Sequence, residues 1–419
     1  MANSFSHAWR ALRHRNFQLF FAGQSISVIG TWMTRIATSW LVYHLTQSAL
    51  LLGVVGFAGQ IVSFLLGPFA GVWVDRLERR KLLLWTQVAA TAHALLLAAL
   101  TLTHAVTLWQ IIVLTAIQGL INAFDTPARQ VFLWQLIDEP EDLGNAIALN
   151  SSMINVARLV GPAIGGLVIA AAGEGWCFLI DGISYLAVIA SLFAVRVQPL
   201  PAPKMKLDML AQLREGWDYV AGLRPLRSIL LLFALVSLMG YPYVVLMPIM
   251  AGHVLHGGAH TLGLLMTASG AGGLISALSL TLRKSVHGLP DMMRAAPLML
   301  GAALVLFGLS HSLWFSLPLL CVAGFGMIQT ASAANTIIQT LADSDKRARV
   351  TSYYTMAFYG AAPLGSLLAG LLAERIGAPL TIVATGVCCL AGAALFTPEV
   401  SVIKNHLRAP AVRDGLAPT

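Results

Sequence analysis

Residues Gly71 to Lys81 read GVWVDRLERRK. One carboxylate, Asp75, is followed by Arg76, Glu78, Arg79, Arg80 and Lys81, and the chain on both sides is almost wholly apolar. A charged knot between two such runs is the mark of a short loop joining two membrane-crossing helices. About 20 apolar helical residues span the hydrocarbon core, and Lys and Arg collect in cytoplasmic loops. The rest of the chain agrees, with 57% hydrophobic and only 11% charged residues among 419 and a mean hydropathy of +0.76. A soluble chain of this length needs far more polar surface. The apolar runs are continuous, not alternating, which argues against a transmembrane barrel. The expectation is an all-α membrane protein that crosses the bilayer many times.

Twelve spans are predicted, at 17–44, 50–74, 81–103, 107–130, 144–172, 176–195, 226–251, 261–283, 292–310, 313–336, 348–373 and 378–397. Basic residues crowd the N-terminus, every second connection, the middle segment and the tail, so both termini are expected in the cytoplasm. The N-terminus, 1–16, reads as a lead into an uncleaved helix and not as a signal peptide. The expected division is a six-helix half over 17–195, a cytoplasmic linker over 196–225, a second half over 226–397 and a tail over 398–419. Leu207 to Val220 in the linker reads as a short amphipathic helix on the membrane surface. The halves echo each other: LLLGVVGFAG opens the second span and HTLGLLMTASGAGG the eighth, while ARLVGPAIGG in the fifth is answered by YGAAPLGSLLAG in the eleventh. Two similar halves are the pattern of secondary transporters. The net charge of +8 follows from orientation and anionic headgroups, with no patch suited to nucleic acid.

Here the chain resembles the major facilitator superfamily over roughly residues 10 to 400. Its loop signature between the second and third helices is matched by Gly71, Asp75, Arg76, Arg79 and Arg80, with Glu78 in place of the second glycine. The resemblance implies that these residues close a cytoplasmic gate, Asp75 pairing with basic groups and facing the positive end of the eleventh helix. A fifth-helix signature of antiporters is matched by Gly161, Pro162, Gly165 and Gly166. Ala157, Gly161 and Gly165 recur every four residues, which leaves one helix face bare enough for close approach. The fourth-helix arginine of many proton-coupled members is Thr115 here, although Gln118 and Gly119 follow. HRNFQLFFAGQSIS, FDTPARQ and NAIALNSSMINVARLVGPAIGG are similar to the branch holding the enterobactin exporter and macrolide efflux proteins.

Charges inside spans each cost about 2.5–3.5 kcal/mol on insertion scales unless they face water or a partner. Arg35, Asp125, Arg129, Arg158 and Asp181 are therefore candidates for proton coupling or charge relay. Gln118, Asn122, Asp125 and Arg129 share one helix face, as do Asn155 and Arg158, and Gln24, Thr31 and Arg35. Asp125 with Arg129 reads equally as a structural pair, and Arg158 either binds an anionic substrate or neutralises a carboxylate. Gln24, Thr31, Gln118, Asn122, Asn155, Tyr241, Gln329, Tyr353 and Tyr359 are candidate cavity residues, with packing the competing reading for the aromatic ones. The four cysteines and the isolated histidines lack metal spacing, so no metal and no cofactor is expected. No nucleotide loop, G-x-S-x-G or H-E-x-x-H occurs, which argues against an ATP-driven pump and against an enzyme.

The expected function is secondary active export of a small amphipathic molecule, a siderophore or drug, by proton antiport from the bacterial inner membrane. The protein is expected to work as a monomer amid membrane lipids. The alternative is a lipid or lysophospholipid flippase, or an importer, on the same scaffold.

Overall fold

The computed structural model describes residues 9–197, 209–281, 288–343 and 346–413; the side chains of residues 72, 75, 209–213, 281, 348 and 408–413 lie outside that description. Among the described residues there is no strand. In chain order the helices are α1 (Arg15–Thr46), α2 (Ala49–Arg76), α3 (Arg79–Leu102), α4 (Leu108–Gln135), α5 (Leu143–Ala172), α6 (Glu174–Ala194) and α7 (Met209–Gly222). Then come α8 (Arg224–Val254), α9 (Ala259–Thr281), α10 (Leu289–Gly308), α11 (Leu313–Leu341), α12 (Arg347–Tyr359), α13 (Ala361–Ile376) and α14 (Ala378–Arg413). A helix satisfies every backbone group internally, which is what lets such apolar sequence reside in lipid.

Eleven segments among the described residues are long and apolar enough to cross a membrane. The first helix, α1, is absent from that set despite its 32 residues. Gln24, Ser25, Ser27, Thr31, Thr34, Arg35, Thr38 and Ser39 dilute its apolar character. The eleventh predicted span is interrupted at Gly360, between α12 and α13. The last runs to Arg413, beyond the predicted 397. Ion pairs from Arg224 to Glu399 and from Lys404 to Asp291, each at 2.7 Å, hold that extension. Within α8, π-helical turns at Val236–Gly240 and Met250–Val254 flank the proline-bearing stretch Tyr243–Ile249. Prolines lack the donor for an i−4 bond, and a widened turn absorbs the mismatch.

The chain forms two compact units. The first comprises Met1–Gln47, Ala58–Met205 and His256–Thr267; the second comprises Ser48–Phe57, Lys206–Leu255 and Ala268–Thr419. In the first, the glycine-to-glycine crossing of α5 with the start of α9 is tight enough that a Cβ on Gly166 would lie 2.9 Å from Gly263 Cα. In the second, a Cβ on Gly53 at the start of α2 would lie 3.0 Å from Gly370 Cα on α13. The echoing segments of sequence thus cross in matched pairs, small residue on small residue.

Two further details repeat. Gly173 joins α5 to α6 at φ 93°, ψ 171°, and Gly377 joins α13 to α14 at φ 83°, ψ 154°, a region open essentially to glycine alone. Trp109 and Trp314, each the second residue of α4 and α11, are 71% and 81% exposed, the placement of interfacial aromatic residues. The core of the first unit is built on Phe17, Phe20, Leu83, Phe132, Leu136 and Leu192, with Phe20 and Phe132 edge to face at 5.5 Å.

The linker helix α7 is seated on protein within the second unit. Lys346 and Arg349 both donate to the Glu215 carboxylate. Tyr219 donates to Asp343 Oδ2 at 3.0 Å, and the Asp343 N–H donates back to Tyr219 Oη at 3.2 Å. Trp217 meets Tyr353 at 6.0 Å. The hydrogen bond from Lys346, with the Arg349 charge, holds the Glu215 carboxyl below the usual carboxylate range. A group so depressed stabilises docking at pH above its ordinary value of about 4.5 and loses that effect as pH falls through the lowered one. Glu215→Gln should therefore speed amide exchange across residues 214–222 at neutral pH, and unchanged exchange would show that these pairs do not hold the helix.

Candidate functional site

The polar side chains inside the spans of the first unit gather into two groups. One centres on Asp125, which is 3% exposed. Its Oδ1 accepts from Thr86 Oγ1 at 2.9 Å and Gln87 Nε2 at 2.8 Å, both on α3, and its Oδ2 accepts from Arg129 one turn along α4. Three donors on one carboxylate is the arrangement that permits a buried charge. Arg129 keeps 27% of its side chain exposed, so the pair is solvated from the arginine side only. Gln118 Nε2 donates to Asn122 Oδ1 at 3.2 Å farther along the same helix. Sequence reasoning aligned the α4 residues but missed Thr86 and Gln87, an adjacent polar pair on α3.

The second group lies between α1, α5 and α6. The Arg35 and Arg158 guanidinium carbons lie over the Trp32 ring, 4.7 and 5.3 Å from its centroid. Asp181 is 1% exposed, and a Cβ on Gly30 would fall 2.7 Å from its Oδ1. That glycine is what admits the carboxyl against α1. Thr34, Ser184 and Tyr185 surround the carboxyl, and Tyr185 Oη is 3.3 Å from Thr31 Oγ1. No cation pairs with Asp181 among the described residues. Gln24 is also 1% exposed, with neither amide atom hydrogen-bonded. Asn155 turns its amide to the Ser151 carbonyl of its own helix at 2.9 Å.

On α5, a Cβ on Gly161 would press on Trp32 Cβ and lie 3.0 Å from the Ile29 carbonyl oxygen, and one on Gly165 would lie 2.7 Å from Ile36 Cγ2. Ala157 is buried against Val28 and Met153. Pro162 is buried within α5, and its carbonyl oxygen would lie 2.8 Å from a Cβ on Gly263.

The charged loop is ordered around helix ends. Arg80 donates from Nε to the Leu192 carbonyl at 2.7 Å and from Nη2 to Phe193 at 3.2 Å, completing the C-terminal turn of α6 as a cation there should. Glu78 precedes α3 at φ −66°, ψ 109° and pairs with Lys81 at 2.6 Å. That backbone is ordinary extended chain, so a non-glycine residue at 78 meets no strain. A Cβ on Gly71 would meet nothing within 4 Å. Arg76 is exposed and Arg79 half-buried. Asp75 falls in α2, but its side chain lies outside the described residues.

In the second unit the candidate cavity residues are engaged with neighbouring side chains. Gln329, 1% exposed, accepts from Ser276 Oγ at 2.8 Å and directs Nε2 at Met292 Sδ, 3.0 Å away. Tyr241 packs edge-on against Phe358, which also meets Tyr359 at 90°, and Tyr354 stacks on Phe233 at 4.7 Å. Tyr353 lies against α7. Of these, Tyr359 is the most open, at 47% exposed.

An all-helical fold with eleven apolar spans among the described residues, carrying the buried carboxylates Asp125 and Asp181 on two of its helices, is that of a multi-pass membrane protein. A profile of the transmembrane secretion effectors matches residues 6–410, so the chain belongs to that family of the major facilitator superfamily. It is 27% identical to the staphyloferrin A transporter of Staphylococcus aureus, over 88% of this chain and 92% of that one. It is 25% identical to macrolide efflux protein A of Streptococcus pyogenes, over 86% and 90%, and 27% identical to the multidrug efflux pump Tap of Mycolicibacterium fortuitum, over 88% and 93%. A solved bacterial homologue of the human lysosomal transporter Spinster shares the fold at a TM-score of 0.70, with 15% identity over 94% and 98% of the two chains.

Proposed function

We propose that this protein is a secondary active exporter of a small amphipathic molecule of the siderophore or drug class. It acts from the bacterial cytoplasmic membrane, with twelve spans and both termini inside, by alternating access in exchange for protons. The observation that carries the reading is the agreement of three relatives over about nine-tenths of their lengths, named for siderophore transport, macrolide efflux and multidrug efflux. The proton role is assigned to Asp125. When Arg129 or the α3 donors withdraw, its carboxylate becomes desolvated and takes up a proton, which couples proton entry to substrate exit. Asp75, with Arg76, Arg79 and Arg80, is assigned to the cytoplasmic gate.

The test is uptake of siderophores and dyes into inside-out vesicles under an imposed proton gradient. Gradient-dependent accumulation is the expected result, reduced in Asp75→Asn at unchanged protein level. Accumulation indifferent to the gradient overturns the antiport, and accumulation only in right-side-out vesicles makes the protein an importer.

A further inference from the structure

One charged cluster has no task in the coupling scheme above. Four acids, Asp138, Glu139, Glu141 and Asp142, fall within five residues of the connection from α4 to α5, while the lead into α1 carries Arg10, Arg13, His14 and Arg15. The two segments have opposite charge, and the fold docks one on the other. The Ala11 N–H donates to Asn145 Oδ1 at 3.0 Å, and Ala11 is fully buried. Arg10 Nε lies 3.4 Å from Asp142 Oδ1.

His14 makes this contact chemically specific. Its Nε2 is 3.1 Å from Asp142 Oδ2, and its Nδ1 is 3.5 Å from Asp138 Oδ2. Each ring nitrogen thus faces a carboxylate, and an ionised carboxylate only accepts hydrogen bonds. A neutral imidazole has one N–H and serves one of the two; an imidazolium donates from both nitrogens and serves both. The His14 and Asp142 side chains are 10% and 7% exposed, so their pair is shielded from water, whereas Asp138 is 82% exposed and can turn into solvent when its donor is lost. The Glu139 carboxylate lies close to both His14 and Asp142 and strengthens the negative field, while Arg10 shares Asp142 and opposes it. Arg13, Arg15 and Glu141, the remaining charged groups of these segments, are exposed.

We propose that His14 is a pH-sensitive clamp. Protonated, it fastens the N-terminal lead to both carboxylates of the α4–α5 connection; as pH rises through the range in which histidine loses its charge, it releases Asp138 and the connection loosens. The clamp bears on the end of the helix that carries Asp125 and Arg129, and on Asp142, which caps the start of α5. It therefore ties the order of these helix ends to the pH of the compartment they face. That this compartment is the cytoplasm rests on the orientation proposed above; the clamp itself does not.

The test is amide exchange of the purified full-length protein in detergent, expressed as protection relative to the intrinsic rate at each pH. Across residues 138–146 protection should rise about threefold or more from about pH 8 to about pH 6. In His14→Gln it should be the same at both. Asp138→Asn, at an exposed position, keeps an acceptor but loses the charge; it should reduce the rise, and it carries the comparison if His14→Gln does not fold. Equal protection of the unaltered protein at the two pH values, or a rise that survives in these variants, overturns the inference. Protection that zinc restores at the higher pH and EDTA removes would make the cluster a metal site and overturn the clamp as well. No substrate and no direction of transport enters the measurement, so its failure and that of the exporter reading are separate results.

Discussion

Arg129→Leu is expected to destabilise the purified protein by about 3–5 kcal/mol, the loss typical when one member of a buried ion pair is removed. The reason is the position of its partner. Asp125 is almost fully enclosed, and without Arg129 its charge would rest on Thr86 and Gln87 alone. The Thr86 hydroxyl has a second acceptor at hand, the Leu83 carbonyl at 2.9 Å, so its support is divided. Replacing both members, Asp125→Leu with Arg129→Leu, should recover most of the lost stability, since apolar groups of similar volume often substitute for a buried pair at little cost. Thermal unfolding in detergent reads both effects. Transport then separates the two roles of the pair: the double variant should be folded but fail to couple export to a proton gradient. A double variant that remains gradient-coupled would confine Asp125 to structure.

That experiment also marks where sequence reasoning stopped. Helices were legible because composition and length decide them: α11 begins at the predicted Leu313, and α3 and α6 end within a residue of the predicted 103 and 195. The i,i+4 relation of Asp125 to Arg129 was legible for the same reason, as one helix contains both. Thr86 and Gln87 come from another helix, so their meeting with Asp125 depends on helix packing that a single helical period does not encode. The same holds for Trp32, which sits beside Arg35 in sequence but gains Arg158 only when α5 closes on α1. The end of α14 was misread for a different reason. Thr397 and Pro398 interrupt the apolar run, yet the helix continues, with Val400 and Ile403 buried and Glu399 and Lys404 paired to other segments. At Glu78 the resemblance suggested a glycine, whereas the extended backbone there accepts any residue.

Gly161→Leu is expected to yield little folded protein, and Gly161→Ala to lose about 1–3 kcal/mol, the usual range for overpacking a close contact. The first atoms an added Cβ would meet are Trp32 Cβ and the Ile29 carbonyl oxygen at 3.0 Å. These are backbone or bonded directly to it, so no rotamer change clears the space and α1 itself must retreat. Gly165→Ala meets Ile36 Cγ2 at 2.7 Å and Met33 Cα at 3.2 Å, a less severe approach than at Gly161, and should cost less. Gly144, on the same helix with nothing within 4 Å of an added Cβ, is the control: Gly144→Ala should be neutral or gain about 0.4–1 kcal/mol through the unfolded state. The order of melting temperatures, with Gly161→Ala below Gly165→Ala and Gly144→Ala above both, would show that close packing on α1 suffices to require the first glycine of this signature. Equal melting of Gly161→Ala and Gly144→Ala would refute it.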